Sequence, residues 1–151
     1  MNNKHIEAIY KKVPSAIAFI KGNEDNPKLN GVAKFYDIDG KELLVSIEVS
    51  GLPQTDTGFF GLHIHEVGDC AQPFDKTGNH YNPDNVNHPN HAGDMPPLFA
   101  DKGYAWTTFL DERLNIEQIR GKSIVIHDME DDFKTQPSGN AGMKIGCGII
   151  V

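Results

Sequence analysis

Residues 42–52 read ELLVSIEVSGL, and the alternation inside that stretch decides the fold class. Leu44, Ser46 and Glu48 alternate with Val45, Ile47 and Val49, so an extended segment has one apolar face and one mostly polar face. Successive side chains in a strand point to opposite sides, which makes a period of two the mark of a half-buried strand. Upstream, PSAIAFIKG (14–22) and GVAKFY (31–36) lack helical spacing. The second runs into Asp39-Gly40, a pair that tolerates φ > 0 and so favours a hairpin turn. Downstream, GFFGLHIHEVG (58–68) sets Leu62 and Ile64 against His63 and His65. YAWTTFL (104–110) and SIVIHD (123–128) read as later strands, and KIGCGIIV (144–151) ends the sequence. The one helix-compatible piece, Leu114 to Ile119, predicts a turn or another strand. The expected fold is all-β, an antiparallel sandwich or flattened Greek-key barrel, with Ile17, Phe19, Val45, Ile47 and Ile64 in its core. Pattern alone leaves sandwich and barrel undecided.

Composition agrees. Fifteen Gly and nine Pro among 151 residues favour turns and short elements, and the length suits a single domain over 1–151. The formal net charge of −7 makes nucleic acid and anionic membrane poor partners. The stretch MNNKHIEAIYKK lacks the apolar run of a signal segment, so the chain as written is expected in the cytoplasm, or in the periplasm or outside cells if already processed. Two cysteines, Cys70 and Cys147, are too few for a thiolate cluster and the right number for one bridge, two buried free thiols being the alternative. A bridge would close a loop that the chain-entropy model values at about 4–5 kcal/mol.

Between Gly68 and Asp101 the sequence turns polar and loses its period for 34 residues, rich in Asn, Asp, Pro and Gly. Loops that long in a small domain are functional or disordered, and Phe74, Tyr81, Val86, Leu98 and Phe99 argue against disorder. A bound metal would hold such a segment. A second irregular stretch runs from Asp128 to Gly142. Six of the seven histidines fall between positions 63 and 127, with His5 alone near the start. On a strand, His63 and His65 present two imidazoles to one side while Ile64 enters the core. HPNHAGD supplies His88, His91 and Asp94 at spacings of three, where Pro89 and Gly93 oppose a helix, so a tight loop can wrap an ion. A closed set of His and carboxylate ligands suits zinc. His80 and His127 alone would read as ordinary histidines. Together these are six imidazoles and one carboxylate, one ligand short of two independent four-coordinate sites unless one ring serves both.

That arrangement resembles the Cu/Zn superoxide dismutase family, through GLHIHEVGDC, GNHYNP, HPNHAGD, FADKG, IVIHDMEDD and SGNAGMKIGCG, in the family's order over most of the chain after residue 30. The resemblance implies copper held by His63, His65, His80 and His127, and zinc held by His80, His88, His91 and Asp94, with His80 bridging. It further implies that Asp131 orients a copper-ligand and a zinc-ligand histidine, and that Cys70 and Cys147 form the family's disulfide. Cys70 follows His65 by five residues, a spacing similar to that of many bacterial members. The implied reaction converts superoxide to oxygen and hydrogen peroxide, with His80 relaying a proton. A second copy of the chain and a copper-donor protein are the macromolecular partners that the resemblance allows.

One departure is visible. Where the family usually has an arginine beside the copper channel, this chain has Lys144, a mobile point charge in place of a planar fork of donors. Anion attraction is expected to survive and docking to weaken. The loop from Asp128 to Ser138 is shorter than in many animal members and keeps Lys134 as its main basic residue. Two rival readings are a metal-storage or delivery domain without turnover and a zinc hydrolase. Complete ligand sets oppose the first, and a zinc with four protein ligands opposes the second.

Overall fold

The computed structural model describes residues 3–151, with side chains from Ile6 onward, so the side chain of His5 lies outside the described residues. The 42–52 stretch forms β3 (Glu42–Ser50), paired antiparallel with β2 (Asn30–Ile38) on one side and with β7 (Tyr104–Asp111) on the other. The β2–β3 connection turns at Asp39 and Gly40, both at positive φ as that pair predicts. Seven strands make one curled antiparallel sheet in the order β5, β8, β9, β1, β2, β3, β7, where β1 is Ala16–Gly22, β5 Leu62–His65, β8 Ser123–His127 and β9 Lys144–Ile149. A short ribbon of β4 (Phe59–Phe60) and β6 (Leu98–Phe99) lies apart from this ladder. β3 and β5, successive strands of this sheet along the chain, are separated in the order by β8, β9, β1 and β2, so the chain crosses over between them, as a Greek-key layout requires.

The core runs along the inner face. Val45, Ile47, Ile64, Phe35, Ile20, Phe60, Leu62, Ile124 and Ile126 are fully buried. Two expected core residues lie elsewhere: Ile17 is only half-buried, and Phe19 is 66% exposed. Strand β1 has the opposite phase, with Ala16, Ala18 and Ile20 inward. The register gives the reason. Ala16 lies opposite Phe35 and Ala18 opposite Ala33, so small side chains on β1 leave the room that Phe35 fills, whereas Phe19 inside would overfill it.

Two α-helices are present among the described residues. α2 (Ile116–Ile119) is a single turn within the piece expected to be a turn or strand, capped by Asn115 accepting from the Glu117 N–H. α1 (Asn3–Tyr10) was not expected. Its Ile9 packs on Tyr36 and Leu44, and Tyr10 bonds the Thr108 hydroxyl, so α1 covers part of the sheet's outer face. Leu44, on the mostly polar side of the alternation, is buried for that reason. Among the described residues no helix is long and apolar enough to cross a membrane.

Candidate metal centre

On β5 the period of two holds: Leu62 and Ile64 enter the core while His63 and His65 share the other face. All four are buried, because the polar segment after β5 folds back over that face. Tyr81 N–H donates to Ile64 O, Ile64 N–H to Gly93 O, and Gly93 N–H to Tyr81 O. A Cβ on Gly93 would lie 2.3 Å from Ile64 O, so only glycine lets the His91–Asp94 turn come this close to the strand. The disulfide joins Cys70 to Cys147 across 77 residues, which fastens the start of this segment to β9. Of its apolar residues, Phe74, Tyr81 and Leu98 are buried, whereas Val86 and Phe99 are largely exposed.

His127 reaches the same place from β8. The β8–β9 register runs Ile126 to Gly146 and then His127 to Lys144, one residue out of step. This bulge puts His127 and Lys144 opposite each other and turns both side chains into one cleft of about 420 Å³, which His65 and His80 also line.

The six histidines and Asp94 fall into two buried sets, each with ligand atoms within 4.8 Å of one another: His63, His65, His80 and His127, and His80, His88, His91 and Asp94. His80 belongs to both. In the first set, His65 Nδ1 donates to Gly78 O at 2.9 Å and His127 Nδ1 to Gly142 O at 3.3 Å, which leaves their Nε2 lone pairs facing each other at 3.2 Å. His63 donates from Nε2 to Asp131 at 2.8 Å, and its Nδ1 is buried without a hydrogen-bond partner, as is His80 Nε2. In the second set, His88 Nδ1 and His91 Nδ1 are likewise unpartnered. They lie 3.1 and 3.2 Å from Asp94 Oδ2 without hydrogen-bond alignment, all three atoms converging on a common point. Buried polar atoms normally find partners, and opposed lone pairs repel, so both sets fit cations. Nitrogen donors alone suit Cu(II), and three imidazoles with a carboxylate suit zinc.

Electrostatics keeps the rings in ligating form. Burial, then the neighbouring His127, pushes the His65 pKa down to about 2; burial, then His63, takes His127 down to about 3. Burial also lowers His63, against the pull of Asp131. For Asp131, burial raises the carboxyl, but hydrogen bonds from His63, the Phe133 N–H and His88 outweigh it and hold the group well below the usual carboxylate range. Asp94 is lowered in the same way, burial being overcome by His80 and then His88 and His91.

Asp131 touches one histidine of each set, His63 and His88, both at 2.8 Å. Lys144 Nζ donates to Thr77 Oγ1 at 2.8 Å and lies 3.4 Å from Gly78 O, while burial lowers its pKa. Lys134 is exposed and does not line the cleft. Two contributors from the second irregular stretch were missed. Gln136 accepts from the His88 N–H and donates to His88 O, clasping that backbone. Gly139, at φ +68°, leaves the space that Asp131 occupies, since a Cβ there would stand 2.0 Å from Asp131 Oδ1. The only sequence signal for Gly139 was the Ser138-Gly139-Asn140 turn composition.

The curled antiparallel sheet and its two adjoining ligand sets define a β-sheet protein fitted for a pair of metal ions. The chain belongs to the copper/zinc superoxide dismutase family, whose model (copper/zinc superoxide dismutase, SODC) matches residues 29–150. It is 34% identical to the extracellular superoxide dismutase [Cu-Zn] of Drosophila melanogaster, over 89% of this chain and 83% of the relative. It is 31% identical to superoxide dismutase [Cu-Zn] A of Xenopus laevis, over 89% and 95%. The copper chaperone for superoxide dismutase of Rattus norvegicus is 29% identical over 93% of this chain, which spans about half (54%) of that relative's length. The crystal structure of the clock protein EA4 superimposes with a TM-score of 0.78 at 28% identity, covering 92% and 95% of the two chains.

Proposed function

We propose that the chain is a superoxide dismutase, with copper at His63, His65, His80 and His127 and zinc at His80, His88, His91 and Asp94. The observation that carries this reading is the pair of ligand sets meeting at His80 beside an open cleft. Copper bound there would supply one-electron chemistry, by which one superoxide would leave as oxygen and a second, with that electron and two protons, as hydrogen peroxide. His65 and His127 stay neutral and aim their Nε2 atoms into the first set. Lys144 draws the anion into the cleft. His80 holds and passes on a proton at Nε2, its orientation set by the 2.7 Å contact of Nδ1 with Asp94.

Relatives named copper chaperones support a second reading, in which the domain hands copper to another protein without turnover. The test is elemental analysis with a superoxide assay before and after copper loading. Dismutation that follows copper content supports the enzyme; a copper-loaded protein that leaves superoxide untouched supports delivery. In the same assay His80→Ala is expected to remain folded and lose about 10²-fold or more in rate. Full activity in that variant rejects the proton-relay role.

A second copy of this chain is the protein partner that the surface supports. Phe19 on β1 and Ile149 on the adjacent β9 are exposed, as is Val151 just beyond β9, and Val32 lies opposite Phe19.

A further inference from the structure

The turn His91–Asp94 brings two of the proposed zinc ligands together, and it is held by its backbone as well as from the site. Asp94 N–H closes the turn on His91 O at 3.1 Å, and the His91 N–H donates to Asp94 Oδ2 at 3.0 Å. Through the backbone rather than the ligand atoms, Arg113 Nη1 donates to His91 O at 3.1 Å and Arg113 Nη2 donates to Asp94 O. One guanidinium therefore spans both end carbonyls of the turn.

We propose that Arg113 is a positioning residue for the zinc ligands: it sets the separation of His91 and Asp94 through their backbone, and so the geometry and grip of the zinc set. The inference rests on the zinc assignment given above. A planar fork suits this task, because two donors at fixed spacing define the distance between two acceptors, whereas an ammonium reaches them as a single point. Arg113 is itself fixed. Asp111, buried at the end of β7, accepts from Arg113 Nη2 at 2.9 Å, while its Oδ1 accepts from the backbone N–H groups of Arg113 and Leu114 at 2.7 and 3.1 Å. The carboxylate also balances the guanidinium charge, so the pair supplies geometry without adding a net positive field beside a dication.

Topology gives the clasp its reach. Strands β5 and β7 are the two edges of the seven-stranded sheet and share no ladder. The turn hangs on β5 through Ile64 N–H to Gly93 O and Met95 N–H to Leu62 O, and on the β7 end through Arg113. The zinc turn thus spans the open side of the sheet, and Arg113 carries the far attachment.

The test is made on the copper- and zinc-loaded protein and on protein with Co(II) in the zinc set. Arg113→Ala should release zinc to a chelator about 10- to 100-fold faster than the parent, the usual cost of losing a group that orients ligands. Arg113→Lys should fall between the two, and both should shift the visible Co(II) bands. Arg120→Ala removes the same charge from a guanidinium bound to Ser15 O, and it should match the parent. If Arg113→Ala does not fold, Arg113→Lys decides. A folded Arg113 variant with the parent's release rate and Co(II) spectrum overturns the proposal, even if it melts at a lower temperature. A parent whose Co(II) spectrum is unchanged by His88→Ala overturns the zinc assignment first, and this inference with it.

Discussion

Asp131 holds one imidazole from each ligand set with a single carboxylate, and its depressed pKa records that double load. The lowered histidines carry a pH signature. An imidazole with a normal pKa of about 6.5 when unfolded and about 2 to 3 when folded binds protons mainly in the unfolded chain below pH 6.5. Stability of the metal-free protein from His65 and His127 is therefore complete above about pH 6.5 and falls as the pH drops towards 3. The slope is up to about 1.4 kcal/mol per unit for each ring. Denaturant titrations of metal-free protein at pH 8, 6 and 4 should show the loss, and a flat profile contradicts the burial argument. Lys144 gives a second test. Lys144→Ala should lower kcat/KM and weaken its dependence on salt, while Lys144→Arg should keep the dependence. An Ala variant equal to the parent means that Lys144 guides nothing. His63, His65, His88, His91 and Asp94 were legible because spacing on a strand or tight loop is a local property, whereas His80 and His127 stood out only through the ligand count and the family resemblance. Gln136 and Gly139 were not, because each acts on a residue more than seven positions away in sequence.

At the level of strands and loops, local pattern found β3 and β5 by their alternation, β8 by its apolar run and the β2–β3 hairpin by its turn pair, but it assigned the wrong face to β1. Burial of a central strand depends on what its neighbours bring: Phe35 fills the space that Phe19 would need. Helix α1 was missed although Ile6, Ile9 and Tyr10 have helical spacing, since a short amphipathic piece has no visible partner until the sheet beneath it forms. The bulge at Ile126/His127 was also hidden, although it sends His127 and Lys144 into one cleft. Gly139 tests the second irregular loop. Gly139→Ala places a methyl group on the Asp131 carboxylate and should loosen its contact with His88. Zinc affinity should fall by about 10- to 100-fold in chelator competition, and unchanged affinity would show that the loop has room to shift.

For the molecule as a whole, the acidic surface and the apolar strip at β1 and β9 bear on association. Phe19 is mostly exposed and Ile149 is 41% exposed on neighbouring strands, so a second copy meeting this face would remove both from water. Phe19→Glu is expected to yield a monomer in sedimentation velocity at concentrations where the parent sediments as a dimer. A parent that is monomeric throughout refutes the face as a self-association surface. The shared ring at position 80 reaches further than geometry. A ligand common to two ions makes their uptake thermodynamically linked, and linkage is reciprocal: whatever the first arrival does to the affinity for the second, the second does in equal measure to the first. Titrating this protein with either ion should therefore give a curve whose midpoint depends on how much of the other is already aboard.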